Sequence, residues 1–427
     1  MSNLKKHIGC FHKSYAFGKV KPSAWLLPIA VLLDFADGLE DFVVSSSTYG
    51  SESTELKVSS LKMWQPHFVA KCLILSIRSL SLGFLLLFFF ATPAWAVDPK
   101  TRISQYAHTA WRVRDGDFSG APNAITQTKD GYLWIGTQVG LTRFDGVRFV
   151  PWVPLDGKRL PSSQIISLLG ASDGSLWIGT ASGLAQWKNG DLINFPETQG
   201  RINSIFEDRE GTIWTGRSRN PAGGLCRVAG GKAICYGPKD GCPSFATLVI
   251  GDREGNIWIG DSTRLTRWKS PGSSTEYSAP ILKSRAGLNG VAALALMPSG
   301  SMWVGMTFPG RGGGLQQFTQ GVWKAFVTPA FDSSALNVNS LLLDSRNALW
   351  IGTEGTGVYR IYEGKVVRFR SADGLSSDSV QCFFEDREGN LWLATPEGID
   401  CFRDLRVINF STHEGLSGNQ AASVLAS

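Results

Sequence analysis

Histidine is scarce in this chain. The 427 residues hold five, and only His108 and His413 lie beyond residue 96. Neither belongs to a His-x-x-x-His pair, and neither stands beside an evident nucleophile, so metal and triad chemistry have no motif here. Both read as structural or surface residues. An excess of one charge is also lacking: Lys and Arg number 42, Asp and Glu 36, a net charge of +6. Residues 1–96 hold nine basic and six acidic side chains, which leaves 33 against 30 in the remainder. With no basic stripe and no acidic tail, the electrostatic footprint of a nucleic-acid binder is absent. Seven cysteines are present, and their spacing matches no zinc site. Gly310-Arg-Gly-Gly-Gly314 lies between two predicted strands with no helix after it, so it is not a phosphate loop. No cofactor motif is found.

What is present in excess is glycine, at 48, and tryptophan, at 15. Asp130-Gly-Tyr-Leu-Trp-Ile-Gly-Thr137 returns as Asp173-Gly-Ser-Leu-Trp-Ile-Gly-Thr180, and five further copies follow. The copies centre on Trp134, Trp177, Trp214, Trp258, Trp303, Trp350 and Trp392, at intervals of 43, 37, 44, 45, 47 and 42 residues. One aromatic-bearing strand every 40–50 residues or so is the signature of a β-propeller. The polar pair before each strand, Asp-Gly or Glu-Gly, reads as a two-residue hairpin turn. The Gly after the apolar residue, Ala394 in the last copy, is expected to let a neighbouring backbone approach. Glu210, Glu254 and Glu388 read as solvated turn residues rather than calcium ligands, because they recur once per unit. A single unit cannot bury both faces of its sheet, so the copies must stack. The expected fold is all-β: a seven-bladed β-propeller of four-stranded antiparallel blades, preceded by a signal peptide.

The boundaries follow. Residues 1–62 are unassigned. Residues 63–96 carry Lys71 and Arg78, the apolar core Leu80–Phe90 and the cleavage site Ala94-Trp-Ala96, which together form a signal peptide. Signal peptides begin at the N-terminus, so Met63 is the expected start and 1–62 an over-extended gene reading. The alternative is an uncleaved anchor, because residues 79–96 approach the length of a membrane span. Residues 97–416 are expected to be the propeller. Tyr106–Val113 resembles the last strand of a blade; compare Val366–Leu375, and likewise Val407–Leu416. Residues 417–427 read as the start of a truncated further repeat.

The recurrent Asp-x-x-Gly-x-Leu/Ile-Trp-Ile-Gly-Thr, followed by Gly-Leu, resembles the two-component regulator propeller repeat. Asp208, Asp252 and Asp386 occupy the leading Asp, and Asp344 does so with Asn347 in place of Gly. His108-Thr-Ala-Trp-Arg-Val-Arg-Asp-Gly116 looks like the opening of such regions, and the resemblance covers about residues 104–427. It implies a periplasmic sensor region of a membrane histidine kinase or hybrid kinase, exported by a signal peptide ending near Ala96. It implies as partners a small-molecule or oligosaccharide signal, further propeller and kinase modules of the same full-length protein, and a homodimer. The implied mechanism is propeller or dimer rearrangement on ligand binding, passed through a membrane helix. The family's later modules are absent from this sequence, so kinase activity does not belong to these residues. Two other readings stand beside it: a secreted propeller enzyme, a lyase or glycoside hydrolase, and a protein-interaction propeller. The Asp-box of sialidases is one residue shorter than Asp208–Trp214.

Two loops between second and third strands depart from the repeat: Arg217–Gly224 and Met306–Gly314. Loops are where specificity is added without disturbing a core. Arg217, Arg219, Asn220, Phe308 and Arg311 are therefore the candidate ligand-binding residues, for an anionic or carbohydrate ligand or a partner surface. Tolerated insertion in a surface loop is the competing reading. No catalytic site is read. Cys226 and Cys235 fall opposite each other across the two-residue turn Gly230-Gly231, as a non-hydrogen-bonded pair. They are either a disulfide or two free thiols.

Overall fold

The structure, a computed structural model, describes residues 97–154, 157–218, 223–279, 281–282 and 290–404. Within them lie seven four-stranded antiparallel sheets and one two-stranded ribbon. Blade one runs Pro122–Gln127, Leu133–Thr137, Leu141–Phe144 and Phe149–Trp152, paired in that order. Blades two to six repeat this order, their first strands beginning at Ile165, Arg201, Leu248, Val291 and Val338. Blade seven is composite. Its inner three strands are Cys382–Glu385, Leu391–Thr395 and Gly398–Arg403. Its outer strand is Ala107–Arg112 from the start of the propeller, in register from Ala107↔Arg403 to Arg112↔Gly398. The His108 stretch is thus the last strand of a blade, as its sequence predicts. It closes the ring, because every blade then has two neighbours and no inner sheet face is left exposed.

The short apolar strands are buried on both faces, which explains their near-continuous hydrophobicity. All seven repeat tryptophans are between 0% and 8% exposed. Trp258 stacks on Tyr277 of its own blade at 5.8 Å and meets Phe318 of the next blade edge-on at 5.8 Å. Trp214 is held likewise by Tyr236 and by Trp268. A ring clasped between blades buries about 150–250 Å², so these residues dominate the interfaces. The glycine after the apolar residue, within the Trp strand, has a different neighbour from the one expected. A Cβ on Gly260 would lie 2.8 Å from the Val291 side chain, so side chain rather than backbone of the next blade fills its place.

The turn before each Trp strand also differs from the two-residue hairpin. The connection in blade three spans residues 208–212, closed by Asp208 N–H donating to Thr212 O at 3.0 Å and Gly211 N–H to Asp208 O at 3.1 Å. The leading aspartate organises it. Asp208 Oδ1 accepts from Thr212 N at 2.8 Å, and Oδ2 accepts from the Trp214 indole at 2.7 Å. Asp252, Asp344 and Asp386 hold Trp258, Trp350 and Trp392 in the same way, at 2.8, 2.8 and 2.6 Å. In blade one Thr128 takes the place, accepting from Trp134 at 2.8 Å and donating to Asp130 at 2.6 Å. A carboxylate that ties turn to strand explains why the repeat carries Asp six residues before Trp.

Val97–Tyr106 forms a strap leading into the closing strand, with Val97, Ile103 and Tyr106 buried beside Trp350 and Phe402. Asp98 N–H donates to Asp404 at 2.7 Å, and Tyr106 Oη donates to Asp98 O at 2.6 Å. The readings of the leader, of Val407–Leu416, of His413 and of residues 417–427 lie outside the described residues.

Candidate ligand face

Antiparallel order puts the Trp-turns at one end of the propeller. At the other lie the second-to-third-strand loops, together with the connections between blades. This second face is where the repeat is broken. Its centre is shaped by the first strands, which shift register at the same point in blades one, two, three, five and six, for example between Ile202 and Ser204. Such bulges re-aim one side chain. Asn123 and Asn203 sit there, donating across to Ile165 O at 2.9 Å and Ala246 O at 2.7 Å in the next blade. Thr247 donates to Val291 O at 2.7 Å in the same manner. These bonds zip neighbouring first strands together around the centre. Arg201 Nε extends the set by donating to Asn203 Oδ1 at 3.1 Å. Between blades six and seven, Glu354 Oε2 accepts from Asn339 at 2.6 Å and Ser379 at 2.7 Å, which fixes an exposed carboxylate on this face.

The candidate residues from the two long loops separate. Arg217 is 1% exposed. Its Nε donates to Gly223 O at 2.7 Å, and one terminal nitrogen donates to Glu197 O and Gln199 O, both at 3.1 Å. Burial lowers the pKa of its guanidinium. Arg217 thus binds its own loop to the connection from blade two, and does not face a ligand. Phe308 is 5% exposed and packs with Leu282 and Met306 beneath its loop. Arg311 is exposed at the tip. The glycines around it fold the loop back: Gly310 N–H donates to Ser334 O at 2.7 Å and Gly314 N–H to Phe308 O at 2.8 Å. Arg219 and Asn220 lie outside the described residues. The loop residues that do the holding, Gln316 donating to Gly313 O at 2.6 Å and Ser333 donating to Leu315 O at 2.7 Å, carried no signal in the sequence beyond being polar in a strand or connection.

Cys226 and Cys235 are paired across the third and outer strands of blade three and form a disulfide, with Cα atoms 4.0 Å apart. The remaining described cysteines are thiols: burial pushes Cys242, Cys382 and Cys401 each up to about 12, so they stay protonated. His108 lies in the closing strand with Nε2 2.8 Å from the buried Asp400, stacked on Phe402 at 4.7 Å. Asp400 also accepts from Ser376 N–H at 3.1 Å and from its hydroxyl. The carboxylate stands between serine and imidazole, so His108 cannot take the hydroxyl proton. The cluster fastens the closing strand and has no triad geometry.

The sequence matches the family model described as Two component regulator propeller over residues 117–138, 159–182, 332–355 and 374–397. These stretches cover Trp strands of blades one, two, six and seven and the chain leading into each. No curated protein matches the sequence. Among solved structures, the fold is shared with the extracellular domain assigned to the hybrid two component system BT3049 of B. thetaiotaomicron. The match is at 18% identity and a TM-score of 0.58, over 70% of this chain and 42% of that one. The corresponding domain of BT4673 from the same organism matches at 21% and 0.57, over 70% and 40%. Virginiamycin B lyase of Staphylococcus aureus, as a catalytically inactive variant with quinupristin, matches at 17% and 0.56, over 70% and 100%. This chain therefore spans about two fifths of the two extracellular domains, 42% and 40%. Four of the seven blades thus match the two-component regulator propeller repeat, and its Asp–Trp clamp is built in two of those and in two others.

Proposed function

We propose that this propeller is the extracytoplasmic ligand-sensing region of a two-component sensor of the histidine kinase type. The observation that carries the reading is the match of the two-component regulator repeat in four blades of a closed ring. Export through a signal peptide ending near Ala96 agrees with a disulfide in blade three. Among the described residues no helix is long and apolar enough to cross a membrane. The ligand is a small molecule or an oligosaccharide, received on the face bearing the two long loops. Arg311 and Glu354 are the exposed charged groups offered to it, while Arg217 and Phe308 keep the loops in shape. Output passes to kinase modules of a longer protein through further propeller and membrane segments. A second reading, a propeller lyase, is kept because the virginiamycin B lyase fold is matched along its whole length.

The test is a thermal-shift screen of the exported protein against a panel of oligosaccharides and small metabolites, with Arg311→Ala and Glu354→Gln in parallel. The sensing reading expects a ligand that raises Tm without being consumed, and a reduced shift in at least one variant. Turnover of the ligand, detected by mass spectrometry, would favour the lyase instead.

A further inference from the structure

The third-strand residue opposite the repeat tryptophan is arginine in four blades: Arg143, Arg227, Arg267 and Arg360. In blade six this arginine has a guest. Arg360 donates to Thr101 O at 2.8 Å and to the Tyr106 hydroxyl. Its guanidinium lies 5.7 Å from the Tyr106 ring and 5.5 Å from Trp350. The same tyrosine meets Phe402 of blade seven edge-on at 6.3 Å. The groove between blades six and seven is therefore filled by a short stretch of the chain itself, Thr101–Tyr106.

Between blades four and five the same fittings recur. Arg267 lies 6.0 Å over Trp258. Phe318 takes the place of Phe402, since Met302↔Phe318 corresponds to Leu391↔Phe402. Tyr277 takes the place of Phe369, opposite the first residue of its third strand. Here, among the described residues, no segment lies across the arginine. Arg267 is half-buried and makes no hydrogen bond or ion pair there, whereas Arg360 makes both of its contacts to the strap. A groove of about 450 Å³ is left, bordered by Glu254, Ser299, Ser301 and Gln320. Its blade-five wall is Phe318, where blades two and four carry the larger Trp187 and Trp268, which cover Trp134 at 5.4 Å and Trp214 at 5.8 Å.

We propose that this groove binds an extended peptide segment of a partner protein carrying a tyrosine, in the way that the groove between blades six and seven holds Thr101–Tyr106. The tyrosine ring would lie against Arg267 and Phe318, with its hydroxyl and an upstream backbone carbonyl accepting from the guanidinium. The site opens on the end with the Trp-turns, away from the loop face, so it is independent of ligand sensing.

The probe is a fluorescein-labelled copy of residues 98–106, Asp-Pro-Lys-Thr-Arg-Ile-Ser-Gln-Tyr, followed by anisotropy against the whole exported protein. The expected result is saturable binding of one peptide per chain, competed by unlabelled peptide and lost when its tyrosine is replaced by alanine. Arg267→Gln should weaken it by about tenfold, the loss of one charge-assisted contact. Phe318→Trp should abolish it while leaving Tm at or above wild type, because a tryptophan fills the equivalent space in blades two and four. Arg143→Gln should leave it unchanged. Absence of binding up to about 1 mM, the weak end of specific affinity, would overturn the proposal. So would binding that survives both Arg267→Gln and Phe318→Trp, which would mean exchange with the native strap. Binding of 4-hydroxyphenylacetate at Arg267 without any peptide binding would replace the peptide by a small aromatic acid.

Discussion

Asp344→Ala should be among the most damaging single changes away from the ring closure. Asp344 is 4% exposed and Trp350 0%. One carboxylate oxygen accepts from Arg346 N–H at 3.0 Å and Ala348 N–H at 2.8 Å, the other from the Trp350 indole at 2.8 Å. Alanine leaves the Ala348 and Trp350 donors buried without an acceptor. Each orphaned donor costs about 1–3 kcal/mol, so the loss should be about 3–5 kcal/mol. Burial holds the Asp344 carboxyl above the usual range, against the downward pull of these bonds and of Arg360. A carboxyl raised in this way favours the fold most below its unfolded pKa and least above its folded one, so its charge is carried at a cost at neutral pH. Asp344→Asn removes that cost and keeps one acceptor oxygen, but its amide cannot serve both the turn and the indole. It should lose about 1–2 kcal/mol, less than alanine. Urea melts followed by circular dichroism would measure both, with Trp350→Phe completing a double-mutant cycle. A loss below about 1 kcal/mol for Asp344→Ala, or no coupling to Trp350, would show that the clamp is not what seats the tryptophan.

Three other outcomes follow from the packing. Gly260→Ala forces a methyl to within 2.8 Å of Val291 and should cost about 1–3 kcal/mol in a thermal or urea melt, by overpacking the seam between blades four and five. Cys226→Ser with Cys235→Ser removes a bridge of sequence separation 9 and should cost about 2–3 kcal/mol, read as a lower urea midpoint than the oxidised parent. Asp173 is lowered to about 2 from 3.8: burial pushes it up, but Lys188 and Ser175 together outweigh that. Its contribution is present above about pH 4 and lost as the pH falls toward 2. Asp173→Asn should therefore show a smaller drop in Tm over that interval than the parent, by scanning calorimetry.

Repeat spacing was enough to locate the seven sheets, and the likeness of Tyr106–Val113 to the final strands of other repeats marked it as the last strand of a blade, but not which blade it completes. These are statements about period, and period survives in one dimension. The misread features depend on what covers a residue. Arg217 looked like a ligand residue because a cationic side chain in a long loop is usually solvated. Three backbone carbonyls from its own loop and from the preceding connection enclose it, and nothing in residues 195–224 announces their convergence. The leading aspartates were visible as a motif, but their bond to an indole six residues on required the turn to be five residues long rather than two. The strap was invisible for the same reason. Ile103 and Tyr106 are ordinary in sequence, and become buried only because blade six offers Arg360 and Trp350 to them.

The account turns on the first described strand, Ala107–Arg112, completing the last blade. Thr109 lies directly opposite the native thiol Cys401 across that seam. Thr109→Cys, oxidised and digested without reduction, should yield an intramolecular peptide pair joining residues 109 and 401 by mass spectrometry. If the thiol introduced at position 109 links instead to another cysteine of the chain, or links only between molecules, the strand lies elsewhere and the ring is open.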